Sequence, residues 1–214
     1  MNPKNDDNPL FETRKSLLLR LKDHQDQQGW LEFFDTYWRM IYAFCLKAGL
    51  SEEESEDVVQ DTMVSVARQM PEFQYDPAKG RFKAWLLTLV RRRIVDQHRR
   101  ESRWNRIVSK SRPIESSTGT ETFDPADPKR PDLESLWDSE WEGNLIHRAL
   151  KQVRQQVSEK QYLMYEMHVL REVPISTVVS NLQTSAMSVY MAKHRVGKLL
   201  RAELGKLRQM EESE

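Results

Sequence analysis

From Ser109 to Ser135 the chain reads SKSRPIESSTGTETFDPADPKRPDLES, with four prolines, a cluster of Ser and Thr and a modest excess of acids. Each proline fixes φ and removes a backbone donor, and apolar side chains to anchor a helix or strand are scarce. About 30 residues of this kind are rarely found inside a compact domain. The stretch therefore predicts a flexible acidic linker over 102–140, dividing the 214 residues into domains at 11–101 and 141–208. Each is long enough to bury a core of its own.

Outside the linker the apolar residues recur at helical spacing. Glycine is scarce, at seven residues, and alternating β-branched runs are few, so the expected fold is all-α, two small helical domains. A short helix is predicted over 11–23, then a longer one over 27–48 with Leu31, Phe34, Trp38, Ile41, Tyr42 and Cys45 on its buried face. Gly49 stops it, since glycine takes the left-handed conformation past a helix end at little cost. Ser51 and Glu54 have the spacing of a capping box opening a helix that ends at Pro71, with Val58, Val59, Met63 and Val66 inward. A loop follows, then a helix from Phe82. Beyond the linker helical patterning resumes near Leu136, and helices are expected over 141–157, from a second capping box at Ser158 and Gln161 to about Leu170, from Pro174 to Leu182, and from Ser185 to about Gln209. A short helix, a tight turn and a longer helix outline a helix-turn-helix.

The formal net charge is +0, but the charges are segregated. Arg81 to Arg106 holds nine Lys/Arg against two acids, and Ser51 to Val66 holds six acids and no Lys or Arg. Two partners of opposite sign are expected. In the basic helix Phe82, Trp85, Leu86, Leu89 and Val90 form a core stripe, continued in the same direction by Arg93, Asp96, Gln97 and Arg100. Asp96 has the spacing to brace Arg92, Arg99 and Arg100. Ion pairs of this sort contribute only about 0.3–0.5 kcal/mol each at a surface. Cations arrayed for phosphate account for them better.

Upstream, Phe73, Tyr75 and Phe82 stand beside Lys79 and Arg81, as a stacking platform for unpaired bases or as a local core plug. On the last helix Val189, Ala192, Val196, Leu199 and Leu200 face Val178, Val179 and Leu182. The opposite face carries Met187, Tyr190, Met191, His194, Arg195, Lys198 and Arg201. A recognition helix in a major groove has this distribution, and so does a solvated amphipathic helix; three large apolar residues on the polar side favour the former. Glu56, Asp57, Gln60 and Asp61 crowd one sector of the acidic helix, either a solvated face or a docking face for a basic protein surface.

Cys45 is the only cysteine, so the chain has no intramolecular disulfide or cysteine metal cluster, as expected of a reducing cytoplasm. No apolar run approaches the roughly 20 residues that span a bilayer, and MNPKNDDNPL lacks a signal peptide's apolar stretch. A soluble cytoplasmic protein with no membrane partner is expected. The acidic helix lacks a calcium loop's glycine turn, and the five histidines show no ligand spacing. The stretch Pro77-Ala78-Lys79-Gly80-Arg81 is not a phosphate loop. Neither metal, cofactor nor catalytic residue is predicted, and an enzyme is disfavoured.

Three segments together resemble the sigma-70 class of bacterial transcription initiation factors, in its compact two-domain extracytoplasmic-function (ECF) form. Glu56-Asp57-Val58-Val59-Gln60-Asp61 resembles the family's core-binding signature. Phe82-x-x-Trp85-Leu86 with Arg91-Arg92-Arg93-Ile94-Val95-Asp96 resembles its promoter-melting and minus-10 helix. Residues 174–200 resemble its minus-35 helix-turn-helix. The resemblance covers about residues 11–101 and 141–205, matched to sigma regions 2 and 4. It implies that Glu56, Asp57, Gln60 and Asp61 dock on bacterial core RNA polymerase. It implies a minus-10 site of Phe73, Tyr75, Lys79, Arg81, Arg91, Arg92, Arg93, Asp96, Gln97 and Arg100. It implies a minus-35 site of Met187, Ser188, Tyr190, Met191, His194, Arg195 and Lys198. Promoter DNA and the polymerase are the implied partners, with an anti-sigma factor as a third candidate, and the linker is implied to thread toward the polymerase active site. The chain departs from the family at Gln183, where the turn usually has glycine, at Lys193, usually apolar, and at Thr177, commonly glutamate. A stand-alone helix-turn-helix regulator is the alternative, and the Asp57, Gln60 and Asp61 surface is what such a regulator would not need.

Overall fold

The computed structural model describes residues 14–73, 82–111 and 132–212. Among these the regular structure is helical: α1 (Arg14–Arg20), α2 (Gln27–Lys47), α3 (Glu52–Gln69), α4 (Phe82–Ser111), α5 (Leu133–Gln156), α6 (Glu159–Tyr165), α7 (Ile175–Asn181) and α8 (Ala186–Glu212). One 3-10 turn, Met70–Glu72, follows α3, and a π-helical turn, Glu166–Leu170, follows α6. The chain divides into two compact units, Lys15–Glu142 and the residues from Gly143 onward.

In the first unit α3 packs on both α2 and α4. Asp26 caps α2, accepting from the Gly29 amide at 2.8 Å while Arg20 Nε lies 2.6 Å from its carboxylate. The hydrogen bond from Arg20, aided by the Gly29 amide, holds the Asp26 carboxyl below its ordinary pKa. Ser51 and Glu54 form the expected capping box, and three acids in the first turn of α3 suit the positive end of its dipole. Gly49 adopts φ +97°, which fits its role as a helix stop.

The buried side of α2 differs from the expected one. Phe33, Tyr37, Met40, Ile41, Phe44 and Cys45 point inward, while Leu31 and Phe34 are exposed and Trp38 is half-buried. The helix is apolar over more than one face, and the rings of α4 select among them: Phe82 stands 6.2 Å from Phe33 and 5.7 Å from Tyr37. Burial pushes the Cys45 thiol up to about 12, making it inert rather than reactive.

The helices flanking the linker are longer than anticipated. The basic helix continues to Ser111, and α5 starts at Leu133 rather than near residue 141. Asp132 caps α5, accepting from Ser135 Oγ at 2.7 Å and from the Glu134 amide at 3.0 Å. These bonds lower its pKa, the Ser135 hydroxyl contributing most. Residues up to Glu142 belong to the first unit.

In the second unit α6, α7, α8 and the end of α5 enclose two small cores. Met164, Val178, Val189 and Ala192 form one, and Val153, Tyr165 and Val196 the other. Ser158 and Gln161 form the second capping box. The turn between α7 and α8 passes through Gln183 at φ +44°, the left-handed region that side chains with a Cβ rarely adopt.

Candidate nucleic-acid interface

Along α4 the change from core to charge is gradual. Phe82, Leu86, Leu89 and Val90 are buried and Ile94 extends the core one turn further, at 1% exposure. Arg93 and Asp96 then pair at 3.0 Å, each partly in solvent. The bracing differs from the expected pattern, because Arg100 pairs with Asp61 of α3 at 3.3 Å. Arg93 takes the Asp96 carboxylate in place of Arg92 at i,i+4, and the packing of α3 on α4 gives Arg100 an acid of its own. Arg92, Arg99 and Arg100 are exposed, while Arg91 and Gln97 are half-buried.

Phe73 is half-buried, with its ring 4.6 Å from Trp85 and 6.3 Å from Phe82. It closes the start of α4 as a partly open aromatic cluster, so it is anchored by packing while keeping an edge toward solvent. Tyr75, Lys79 and Arg81 lie outside the described residues.

On α3, Val58, Val59 and Val66 are buried, and Met63 is half-buried. Glu56, Asp57 and Gln60 are exposed on another face, with Asp61 half-buried where it meets Arg100. This puts the three exposed groups on one accessible sector and ties Asp61 to the basic helix.

On α8 the division of faces is clear. Val189, Ala192 and Val196 are buried, whereas Met187, Tyr190 and Met191 are 67%, 53% and 66% exposed. His194, Arg195 and Lys198 are exposed along the same side, and Ser188 is half-buried. Ser185 Oγ accepts from the Ser188 amide at 3.1 Å, capping the helix at the end that carries Met187. Large apolar side chains seldom cluster in water beside cations without a partner, and base edges with thymine methyls suit such a face.

Residues at the start of α5 were not anticipated as part of any site. Glu134 meets Arg91 at 3.3 Å and Asp138 meets Lys83 at 2.6 Å. The signal was present: Glu134, Trp137, Asp138 and Trp141 fall on one helical stripe. Proximity to the proline-rich segment concealed it.

Among the described residues no group of three His, Cys, Asp or Glu side chains is placed to hold a metal ion, and no helix is long and apolar enough to cross a membrane.

Residues 33–104 match the family described as sigma-70 region 2. The chain is 31% identical over 147 residues to the ECF RNA polymerase sigma factor SigK of Mycobacterium tuberculosis (strain ATCC 25618 / H37Rv), covering 69% of this chain and 73% of that one. It is 27% identical over 86 residues to the ECF RNA polymerase sigma factor RpoE of Cereibacter sphaeroides, 40% of this chain and 46% of the other. A solved structure of the sigma factor RpoE in complex with the anti-sigma factor NepR from Bartonella quintana aligns with 83% of this chain and 98% of its own, at a TM-score of 0.33 and 18% identity. By its kinship with SigK over more than two thirds of both chains, the chain belongs to the ECF sigma factors of the sigma-70 family, promoter-directing initiation factors that perform no bond chemistry themselves.

Proposed function

We propose that the two units divide promoter recognition between them. The exposed sector of α3, with Glu56, Asp57 and Gln60, and with Asp61 at its edge, docks on bacterial core RNA polymerase. The second half of α4, through Arg91, Arg92, Arg93, Gln97 and Arg100, with Asp96 bracing Arg93, engages the minus-10 element. Phe73, with Tyr75, Lys79 and Arg81, receives unpaired bases. The α8 face of Met187, Ser188, Tyr190, Met191, His194, Arg195 and Lys198 lies in the major groove of the minus-35 element. The protein works in the cytoplasm, where the polymerase is. An anti-sigma factor is a further proposed partner, supported by the apolar side chains that α2 leaves exposed at Leu31, Phe34 and Leu46.

The observation that carries this reading is the α8 face, where three large apolar residues are solvent-exposed beside His194, Arg195 and Lys198. Reconstituted transcription tests it. Purified chain added to core polymerase is expected to direct initiation at a distinct promoter set. Arg195→Ala should cost about 1–3 kcal/mol at promoters that need the minus-35 element. Asp61→Lys should weaken co-elution with core polymerase while both units stay folded by circular dichroism. A chain that binds promoter DNA alone and never co-elutes with polymerase would instead be a stand-alone regulator.

A further inference from the structure

Glu134, Trp137, Asp138 and Trp141 share one stripe of α5, and all four reach α2 or α4. Trp137 and Trp141 are 1% and 2% exposed. The ring of Trp137 stands 5.0 Å from Phe44 and that of Trp141 5.8 Å from Tyr37, and Trp137 Nε1 donates to the Lys83 carbonyl at 3.2 Å. The acids beside these anchors take up cations of α4. A Glu134 carboxylate oxygen lies 3.3 Å from the Arg91 guanidinium, and an Asp138 oxygen lies 2.6 Å from Lys83 Nζ, which also sits over the Trp141 ring at 5.7 Å.

Both acids are about two-thirds exposed or more, at 71% and 67%. Pairs this open add little to stability; the buried tryptophans do the anchoring. What the acids alter is the availability of the cations. Carboxylate and phosphate oxygens accept from guanidinium and ammonium in the same way, and acids tethered to the same domain act at a high effective concentration.

We propose that the start of α5 is a tethered acidic strap in which Glu134 and Asp138 stand in for DNA phosphates on Arg91 and Lys83. Nucleic acid must displace these carboxylates to gain the cations, while Trp137 and Trp141 stay packed and only the two acidic side chains turn away. The strap thereby lowers the affinity of the free chain for DNA of any sequence. This rests on Arg91 facing promoter DNA, as proposed above, and extends that face to Lys83, two turns earlier on α4.

The test is a salt titration of the chain binding to a mixed-sequence duplex of about 20 base pairs, two turns of the double helix. Glu134→Gln with Asp138→Asn is expected to steepen the slope of log affinity against log salt by about 0.9 for each phosphate contact regained. At low salt it should bind about threefold tighter than the parent, an advantage shrinking as salt rises. The gain should vanish when Arg91→Ala and Lys83→Ala are added, because the freed cations are then absent. A gain that persists in that background means a general charge effect and overturns the strap. If Arg92→Ala with Arg100→Ala weakens binding but neutralising the acids changes neither slope nor affinity, the strap is wrong and the reading of α4 stands. If Arg92→Ala with Arg100→Ala also leaves binding unchanged, α4 does not face DNA and both fall.

Discussion

The positive φ of Gln183 was legible in the sequence as a mismatch: a turn that ordinarily uses glycine had to be made by a residue with a Cβ. The structure makes the turn anyway, because Val178 and Val189 are both fully buried and fix where the chain must reverse. Packing outweighs a local cost of about 1–2 kcal/mol for the left-handed conformation. Gln183→Gly should therefore stabilise the second unit by about 0.5–1 kcal/mol, the strain relieved less the extra chain entropy glycine gives the unfolded state. Urea denaturation monitored by helical circular dichroism checks this, and a destabilised variant would mean that the Gln183 side chain holds the turn. The bracing of the basic helix was less legible. Spacing along α4 pointed to three partners for Asp96, but Arg100 lies against Asp61 of another helix, a contact no single-helix pattern contains.

At the scale of the element, capping was the most readable feature. Ser51 with Glu54 and Ser158 with Gln161 both form the boxes their spacing predicted, because capping needs only residues within one turn. The buried face of α2 was misread for the opposite reason, since the choice between Phe34 with Trp38 and Phe33 with Tyr37 depends on where Phe82 stands. The start of α5 was only partly legible: helical patterning shows from about Leu136, but the proline and acid density upstream obscures the first turn at Leu133. Its cap makes a pH prediction. The Asp132 carboxyl is depressed below the ordinary value of 3.8 by hydrogen bonds from Ser135 and the Glu134 amide. A carboxyl that is more acidic when folded stabilises the fold fully above its unfolded pKa, and the contribution disappears as pH falls through the folded one. The stability gap between the parent and Asp132→Ala, followed by tryptophan fluorescence in urea, should be constant near neutral pH and close as pH falls below the ordinary carboxylate value. A gap unchanged by acid would show that the ionised cap is not what holds the helix start.

For the whole molecule, two units were legible from the linker alone, but the position of their boundary was not. Composition assigns residues to segments by local character, whereas Trp137 and Trp141 are assigned by the aromatic surface they cover on α2. Phe44 and Tyr37 offer that surface 93 and 104 residues away in sequence, and only the folded chain brings them together. A residue outside the N-terminal domain expected from sequence therefore belongs to that domain's core. Trp137→Ala should cost the first unit about 3–5 kcal/mol, the usual range for deleting a fully buried large aromatic. Hydrogen exchange resolves the two units where a global melt would average them. Amides of α2 and of the first half of α4 should lose protection by about two to three and a half orders of magnitude, following about 1.4 kcal/mol per decade, while those of α6, α7 and α8 keep theirs. Equal loss in both units would mean that they unfold as one cooperative body. No loss in α2 would mean that the tryptophan rests on the domain without supporting it, and the acidic strap would then have no anchor.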